Sequence, residues 1–174
     1  STDIPTYARN AVHRFYNTRD KAFFYTASAA EKDYVLEQSV PEDQLLDSSW
    51  PYVYQGGTFA EAHSYLSSSA LVPLHRFYNT DTGHHFFTAN ADEKNLVIEN
   101  SNSGEWPFNY EGVAFNVYSD DPYPNSSGQE LAVHRLYSPS LNRHFFTGDT
   151  TEVEAMQLTG VWNYEGIGFW GEII

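Results

Sequence analysis

The chain has 174 residues, of which 9 are Lys or Arg and 23 are Asp or Glu, for a net charge of -14; it has no cysteine, and aromatic residues make up 17% of it. The charge disfavours nucleic acid and anionic bilayers and suits divalent cations, calcium above all, or cationic ligands. The missing thiols exclude a disulfide scaffold, a thiolate zinc site and a cysteine nucleophile, and no apolar run approaches the ~20 residues that span a bilayer.

Ser1-Thr2-Asp3-Ile4-Pro5 is not a signal peptide and reads as linker, so the chain is expected to be a module of a longer protein. Val12-His13-Arg14-Phe15-Tyr16-Asn17 then alternates as a strand, with His13 and Phe15 on one face and Arg14 and Tyr16 on the other. Arg19-Asp20-Lys21 suits a hairpin turn into a second strand, Phe23-Phe24-Tyr25-Thr26. Ser28 followed by Glu31 has capping-box spacing: the cap side chain takes an orphan amide and the Glu reaches back to the cap. Tyr34 and Leu36 are expected to form the apolar face of the helix it starts. An insertion over 40–49 precedes Trp50-Pro51, and a glycine-containing strand, Tyr54-Gln55-Gly56-Gly57-Thr58-Phe59, closes the unit.

The same order returns twice. The second unit holds Leu74-His75-Arg76-Phe77-Tyr78-Asn79, the turn Asp81-Thr82-Gly83, His85-Phe86-Phe87-Thr88, the Asn90/Glu93 cap with Leu96 and Ile98 behind it, Trp106-Pro107, and Tyr110-Glu111-Gly112-Val113-Ala114-Phe115. The third holds Val133-His134-Arg135-Leu136-Tyr137-Ser138, His144-Phe145-Phe146-Thr147, the Asp149/Glu152 cap with Val153 and Met156, and Tyr164-Glu165-Gly166-Ile167-Gly168-Phe169, with Gly160 where the others have Trp. The expected architecture is α+β, mainly β. Three strand-strand-helix-strand repeats, at about 11–63, 72–118 and 131–172, form one compact domain with pseudo-threefold symmetry.

These motifs resemble a family of unknown-function repeats found in secreted bacterial proteins, beside haemolysin-type calcium repeats, adhesin modules or hydrolases. The resemblance covers almost the whole chain and implies an extracellular accessory module without supplying a chemistry. The chain also resembles the peptide-binding module near the ligand-binding end of repeats-in-toxin adhesins. That likeness implies calcium association and a grip on the free C-terminus of a target peptide. The first repeat departs from the pattern, with Phe23 where the others have His85 and His144, and Gln55 where they have Glu111 and Glu165.

Recurrence separates scaffold from site. Arg14, Arg76 and Arg135, with Gln55, Glu111 and Glu165, are expected to tie first strand to last in each unit, because a fold needs the same device in every repeat; the other reading of Arg76, Tyr110 and Glu111 is a ligand contact. His13, His75 and His134 fit hydrogen-bonded structural histidines better than a zinc site, and no H-E-x-x-H motif supports zinc. No nucleophile elbow, P-loop or dinucleotide fingerprint is present, and repeats of one glutamate lack the unlike environments of a catalytic pair, so the domain is expected to be no enzyme. Binding residues are sought outside the repeat pattern, at Tyr65, Tyr123, Asp43 and Asp47, and a calcium loop at Asp120, Asp121 and Asn125. The expected function is a secreted or cell-surface adhesion module that binds a peptide C-terminus of a host or neighbouring cell with calcium assisting. The alternatives are a lectin-like carbohydrate-binding module, whose exposed rings stack on sugars, and a structural spacer.

Overall fold

A computed structural model describes residues 10–40, 50–62, 71–121 and 131–174. Each unit is an antiparallel three-stranded ladder with the first strand of its hairpin in the middle. In the first unit β1 (His13–Asn17) lies between β2 (Ala22–Thr26) and β3 (Tyr52–Tyr54), and α1 (Ala29–Gln38) connects the outer two. The second unit repeats this with β4 (Leu71–Asn79), β5 (His85–Thr88), α2 (Ala91–Asn102) and β6 (Phe108–Tyr118), the third with β7 (Leu131–Ser138), β8 (Arg143–Thr147), α3 (Thr150–Leu158) and β9 (Asn163–Gly171). The second and third ladders join where Tyr118 of β6 faces Trp170 of β9, giving a sheet of order β5-β4-β6-β9-β7-β8. The fold is α+β and mainly β.

Local chemistry explains why the hairpins recur. The Asn17 side chain accepts from the amides of Arg19 (3.1 Å) and Asp20 (2.9 Å), and Asn79 does the same for Asp81 (2.9 Å) and Thr82 (3.1 Å). Ser138 serves the Leu141 amide in the third turn. Such side-chain turns compete well with ladder hydrogen bonds, so each strand stops there. The Tyr-Glu-Gly motif is a β-bulge. Arg76 pairs with Gly112 and Phe77 with Tyr110, so Glu111 is the extra residue, and the same register shift sets Glu165 apart in β9. Gly112 and Gly166 both sit at φ 92°, a conformation that turns the preceding glutamate toward the middle strand.

The helix starts differ from the expected capping box in one half. Ser28 and Asn90 accept from the amides of Glu31 (3.1 Å) and Glu93 (3.0 Å), while Asp149 accepts from Thr151 (2.8 Å). The reciprocal bond comes from a different residue. Thr26, Thr88 and Thr147, which end the second strands, take the amides of Ser28, Asn90 and Asp149 at 3.1, 3.1 and 3.0 Å. The glutamates are thereby released to act elsewhere. The expected apolar face holds in the third helix, where Val153 is buried and Met156 packs on the core, but shifts in the first two. Val35, Val97 and Val153 are the buried helix residues, whereas Tyr34, Leu36 and Leu96 are exposed. Tyr34 lies edge-on to Trp50, outside the core. Each helix is a short strap held by one valine rather than a broad amphipathic wall.

One apolar cluster draws on all three units, with Phe15, Phe59, Phe87, Phe115, Phe146 and Phe169 among its members. Backbone contacts close the units on one another. Ala60 and Glu172 exchange both amide bonds (2.8 and 3.0 Å), and Ala62 donates to Asn116 (2.8 Å). The buried Tyr25 hydroxyl accepts from the Phe146 amide at 2.7 Å and lies 3.1 Å from its carbonyl, joining the first unit to the third. A Cβ at Gly171 would stand 2.8 Å from the Ala60 carbonyl, so only glycine permits that approach.

The bulge makes a direct prediction. Gly112→Ala meets open space but keeps a positive φ, so it is expected to cost about 1–2 kcal/mol in urea unfolding. Unchanged stability would mean that the bulge does not depend on that conformation.

Candidate functional site

Arg14, Arg76 and Arg135 lie on the middle strands, next to core residues Phe15, Phe77 and Leu136 but on the opposite face. Each Nε pairs with the bulge residue of its own unit: Gln55 at 2.8 Å, Glu111 at 2.9 Å and Glu165 at 2.9 Å. These are the ties expected from recurrence. The terminal nitrogens go further, to the helix-start glutamate of another unit. Arg76 reaches Glu31 at 3.0 Å, Arg135 reaches Glu93 at 3.5 Å, and Arg14 holds Glu152 with two bonds of 2.9 and 2.6 Å. Second grips first, third grips second, and first grips third, so the contacts run in a closed cycle.

Burial works against ionising Glu31 and Glu152, but the hydrogen bonds from Arg76 to Glu31 and from Arg14 to Glu152 outweigh it and hold both below the usual carboxylate range. Burial likewise opposes charge on Arg14, and Glu152 more than compensates, so its pKa is raised. Opposite charges with hydrogen bonds at short range are strong only when geometry is good, and here the joints differ.

In the first–third joint Arg14 sits 4.8 Å from the centre of the Phe145 ring, and Phe23 packs on Phe145 (4.7 Å) and Trp162 (6.0 Å). In the first–second joint Arg76 lies over Phe24 at 5.5 Å. In the second–third joint Arg135 has its ion pair with Glu93 stretched to 3.5 Å, and the buried Glu93 Oε1 has no hydrogen-bond partner among the described residues. His144 stands where Phe23 packs in the first unit, with its ring 5.6 Å from Phe86.

A cavity of about 650 Å³ opens at this loosest joint. Phe23, Phe86, Trp106, Phe108 and Tyr137 supply rings to its wall, Leu96 and Val97 an aliphatic patch, and Glu93, Arg135, Glu165 and His144 the base of the latch. The hollow of about 520 Å³ at the first–third joint is different in kind: Phe23, Leu141, Met156 and Trp162 line it, and Arg14 and Glu152 do not.

Three turns meet at one corner of the larger cavity. Arg143 and His84 both line it, and Asp20 of the first unit's turn lies behind them. The Arg143 guanidinium bonds the carbonyls of Leu141, Asn142 (3.3 Å) and Asp20 (3.4 Å), and no carboxylate pairs with it among the described residues. Burial lowers its pKa and Asp20 offsets only part of that effect. A guanidinium does not lose its proton in a protein, so Arg143 keeps a positive charge at the cavity's corner. His84 is 8% exposed, and neither ring nitrogen has a hydrogen bond among the described residues; its nearest acid is Asp20, at 3.5 Å.

The other described histidines are neutral spacers and props. His13, His75 and His134 each share a 2.7 Å hydrogen bond between Nδ1 and the hydroxyl of Tyr54, Tyr110 or Tyr164. His85 and His144 lie 3.2 and 3.4 Å from Glu111 and Glu165. Burial depresses both imidazoles: in His85 it outweighs the Glu111 carboxylate, and in His144 it is joined by the charge of Arg135 and outweighs Glu93, taking the ring to about 4. They contact the glutamates as neutral rings at pH 7.

Of the binding residues expected from sequence, the three described ones lie away from the cavity. Arg76 and Glu111 are consumed in the first–second latch, and Tyr110 is half-exposed and bonded to His75; none of the three lines the cavity. Asp43, Asp47, Tyr65, Tyr123 and Asn125 lie outside the described residues. Asp120 is exposed and Asp121 half-buried at the end of β6, and the described residues contain no cluster of three or more metal-ligating side chains. The residues that sequence reading passed over are Arg143 and Glu93. Arg143 occupies the place of Ala22 and His84 in the other hairpins, so a position unlike in all three repeats was the available signal.

The family model described as a domain of unknown function (DUF5648) matches residues 2–40 and 36–172. The chain belongs to that family. No curated protein and no solved structure matches it. Among the described residues no helix is long and apolar enough to cross a membrane.

The depressed histidines set a pH dependence. His84, His85 and His144 favour the neutral form when folded, so their contribution to stability is complete above their ordinary value of 6.5 and is lost as pH falls, for His144 down to about 4. Glu31 and Glu152 add a second loss, beginning below their ordinary 4.5. Chemical denaturation between pH 7 and pH 3 is expected to show falling stability across both windows. His144→Gln should flatten the upper one and leave the lower one in place; an upper slope that His144→Gln leaves unchanged would contradict the assignment.

Proposed function

We propose that this DUF5648 domain is an extracellular, non-enzymatic binding module, and that its ligand is a peptide whose free C-terminal carboxylate sits at Arg143 and His84. The supporting observation is that corner itself. In a chain of net charge -14, a part-buried guanidinium bonded by backbone carbonyls, with no carboxylate paired to it among the described residues, stands beside a buried imidazole whose Nε2 has a 3.5 Å contact with Asp20 and whose Nδ1 has no hydrogen bond among the described residues, and both line an aromatic cavity. A carboxylate satisfies both groups with charge-assisted hydrogen bonds. The rings of Phe86, Trp106 and Tyr137 then flank the side chains that precede the terminus. Calcium assistance belongs to this proposal through the oxygen ligands of Asp120, Asp121 and Asn125, and its mark would be a melting temperature raised by calcium and restored by chelator.

The cavity also favours a second reading, a lectin-like site. Asn79, Asp81 and Asn142 line it beside Trp106 and Tyr137, a mixture of hydrogen-bonding groups and stacking rings that suits a sugar.

The two readings part on one comparison. Random-sequence pentapeptides are presented as free acids or as C-terminal amides and titrated by the fluorescence of the cavity tryptophan. The peptide reading expects acids to bind at least about tenfold tighter than matched amides, the worth of one charge-assisted hydrogen bond, with the advantage lost in Arg143→Gln. Equal binding of acids and amides, or glycan-array binding that Arg143→Gln abolishes, would overturn it.

A further inference from the structure

Glu93 is the odd member of three equivalent glutamates. Glu152 receives two bonds from Arg14 and one from Thr147 (2.5 Å), and Glu31 is bonded by Arg76 and Thr26. Among the described residues the partner of Glu93 is Arg135, whose stretched 3.5 Å ion pair to the buried Oε1 leaves that oxygen without a hydrogen bond. A buried carboxylate oxygen without a hydrogen bond is costly, and two equivalent joints show how the same position is satisfied when the joint is complete. What separates Glu93 from them is that it lines the open cavity.

The surroundings specify the missing group. Glu165 and Asp81 line the same cavity as Glu93, so a second anion beside these carboxylates is unfavourable. A cation meets carboxylates, and the rings of Trp106 and Phe108 in the cavity lining offer a cation an attraction that a neutral donor does not gain. Resting on the carboxylate reading of the Arg143–His84 corner, we infer that the cavity selects a peptide ending in a basic residue, whose side-chain ammonium or guanidinium bonds Glu93 while its terminal carboxylate bonds Arg143. The incoming cation takes the place that the fully closed latch gives to arginine elsewhere in the cycle, and Arg135 keeps its 2.9 Å pair with Glu165.

The test uses four pentapeptides identical except at the end: terminal Lys or norleucine, each as acid or amide. Norleucine matches the lysine chain without its ammonium. Isothermal titration of the intact domain is expected to give about a tenfold preference for Lys over norleucine. Glu93→Gln should shrink that preference to about twofold or less, while Glu31→Gln, at the equivalent position of another joint, should leave it intact. Norleucine binding as tightly as Lys, or a preference that survives in folded Glu93→Gln protein, would overturn the inference. The acid-to-amide ratio is read separately, so loss of the carboxylate contribution with a retained lysine preference would sink the parent reading and leave Glu93 as a cation site.

Discussion

An arginine on the central strand of a three-stranded ladder faces the seam between two units, where its charge is partly removed from water and has to be answered. Each of the three arginines is answered twice, by a bulge residue of its own ladder and by a helix-start glutamate from another. Several local features follow from that double demand. The bulge glycine at φ 92° is what aims Glu111 and Glu165 inward. The threonine ending each second strand caps the helix amide that a capping-box glutamate would otherwise serve, and so leaves the glutamate free to cross the seam. A unit whose arginine and glutamate both lack their outside partners has a half-built polar surface, which argues for three units folding as one cooperative body.

Much of this was legible in the residues. The order of elements, the hairpin turns, the helix starts and the ties from Arg14 to Gln55 and from Arg76 to Glu111 follow from turn chemistry, cap spacing and recurrence. The partners across the seams were not legible, because a repeat pattern shows what recurs within a unit and is silent on which neighbour each copy meets. The helix faces misled for a related reason. Tyr34, Leu36 and Leu96 are large and apolar, but a strap anchored by one valine leaves them outside. The proposed site was not legible where it rests on single residues. Arg143, unlike its counterparts Ala22 and His84, carried a signal only in its difference, and the stretched Arg135–Glu93 pair has the same residue types as the tight ones.

The substitutions in the first unit are coupled in a way the geometry explains. Where Glu becomes Gln55, the facing His becomes Phe23. Removing the carboxylate removes the reason for an imidazole, and the ring that replaces it packs between Phe145 and Trp162 beside Arg14. That joint is closed by aromatic packing and a bidentate ion pair. The second–third joint keeps the polar pair His144 and Glu165, has the weakest latch, and carries the cavity. In the proposed reading, scaffold and site are two settings of one device: the more completely the seam satisfies its own charges, the less it offers a ligand.

Coupling energies of the latches test that relation most directly. Double-mutant cycles on Arg14→Met with Glu152→Gln, and on Arg135→Met with Glu93→Gln, measured by chemical denaturation without ligand, compare the tight and open joints under one set of conditions. The predicted result is a coupling of about 1–3 kcal/mol for the first pair and about 0.5 kcal/mol or less for the second. Equal couplings would mean that the two joints are energetically alike, and would contradict the assignment of the binding site to the open one.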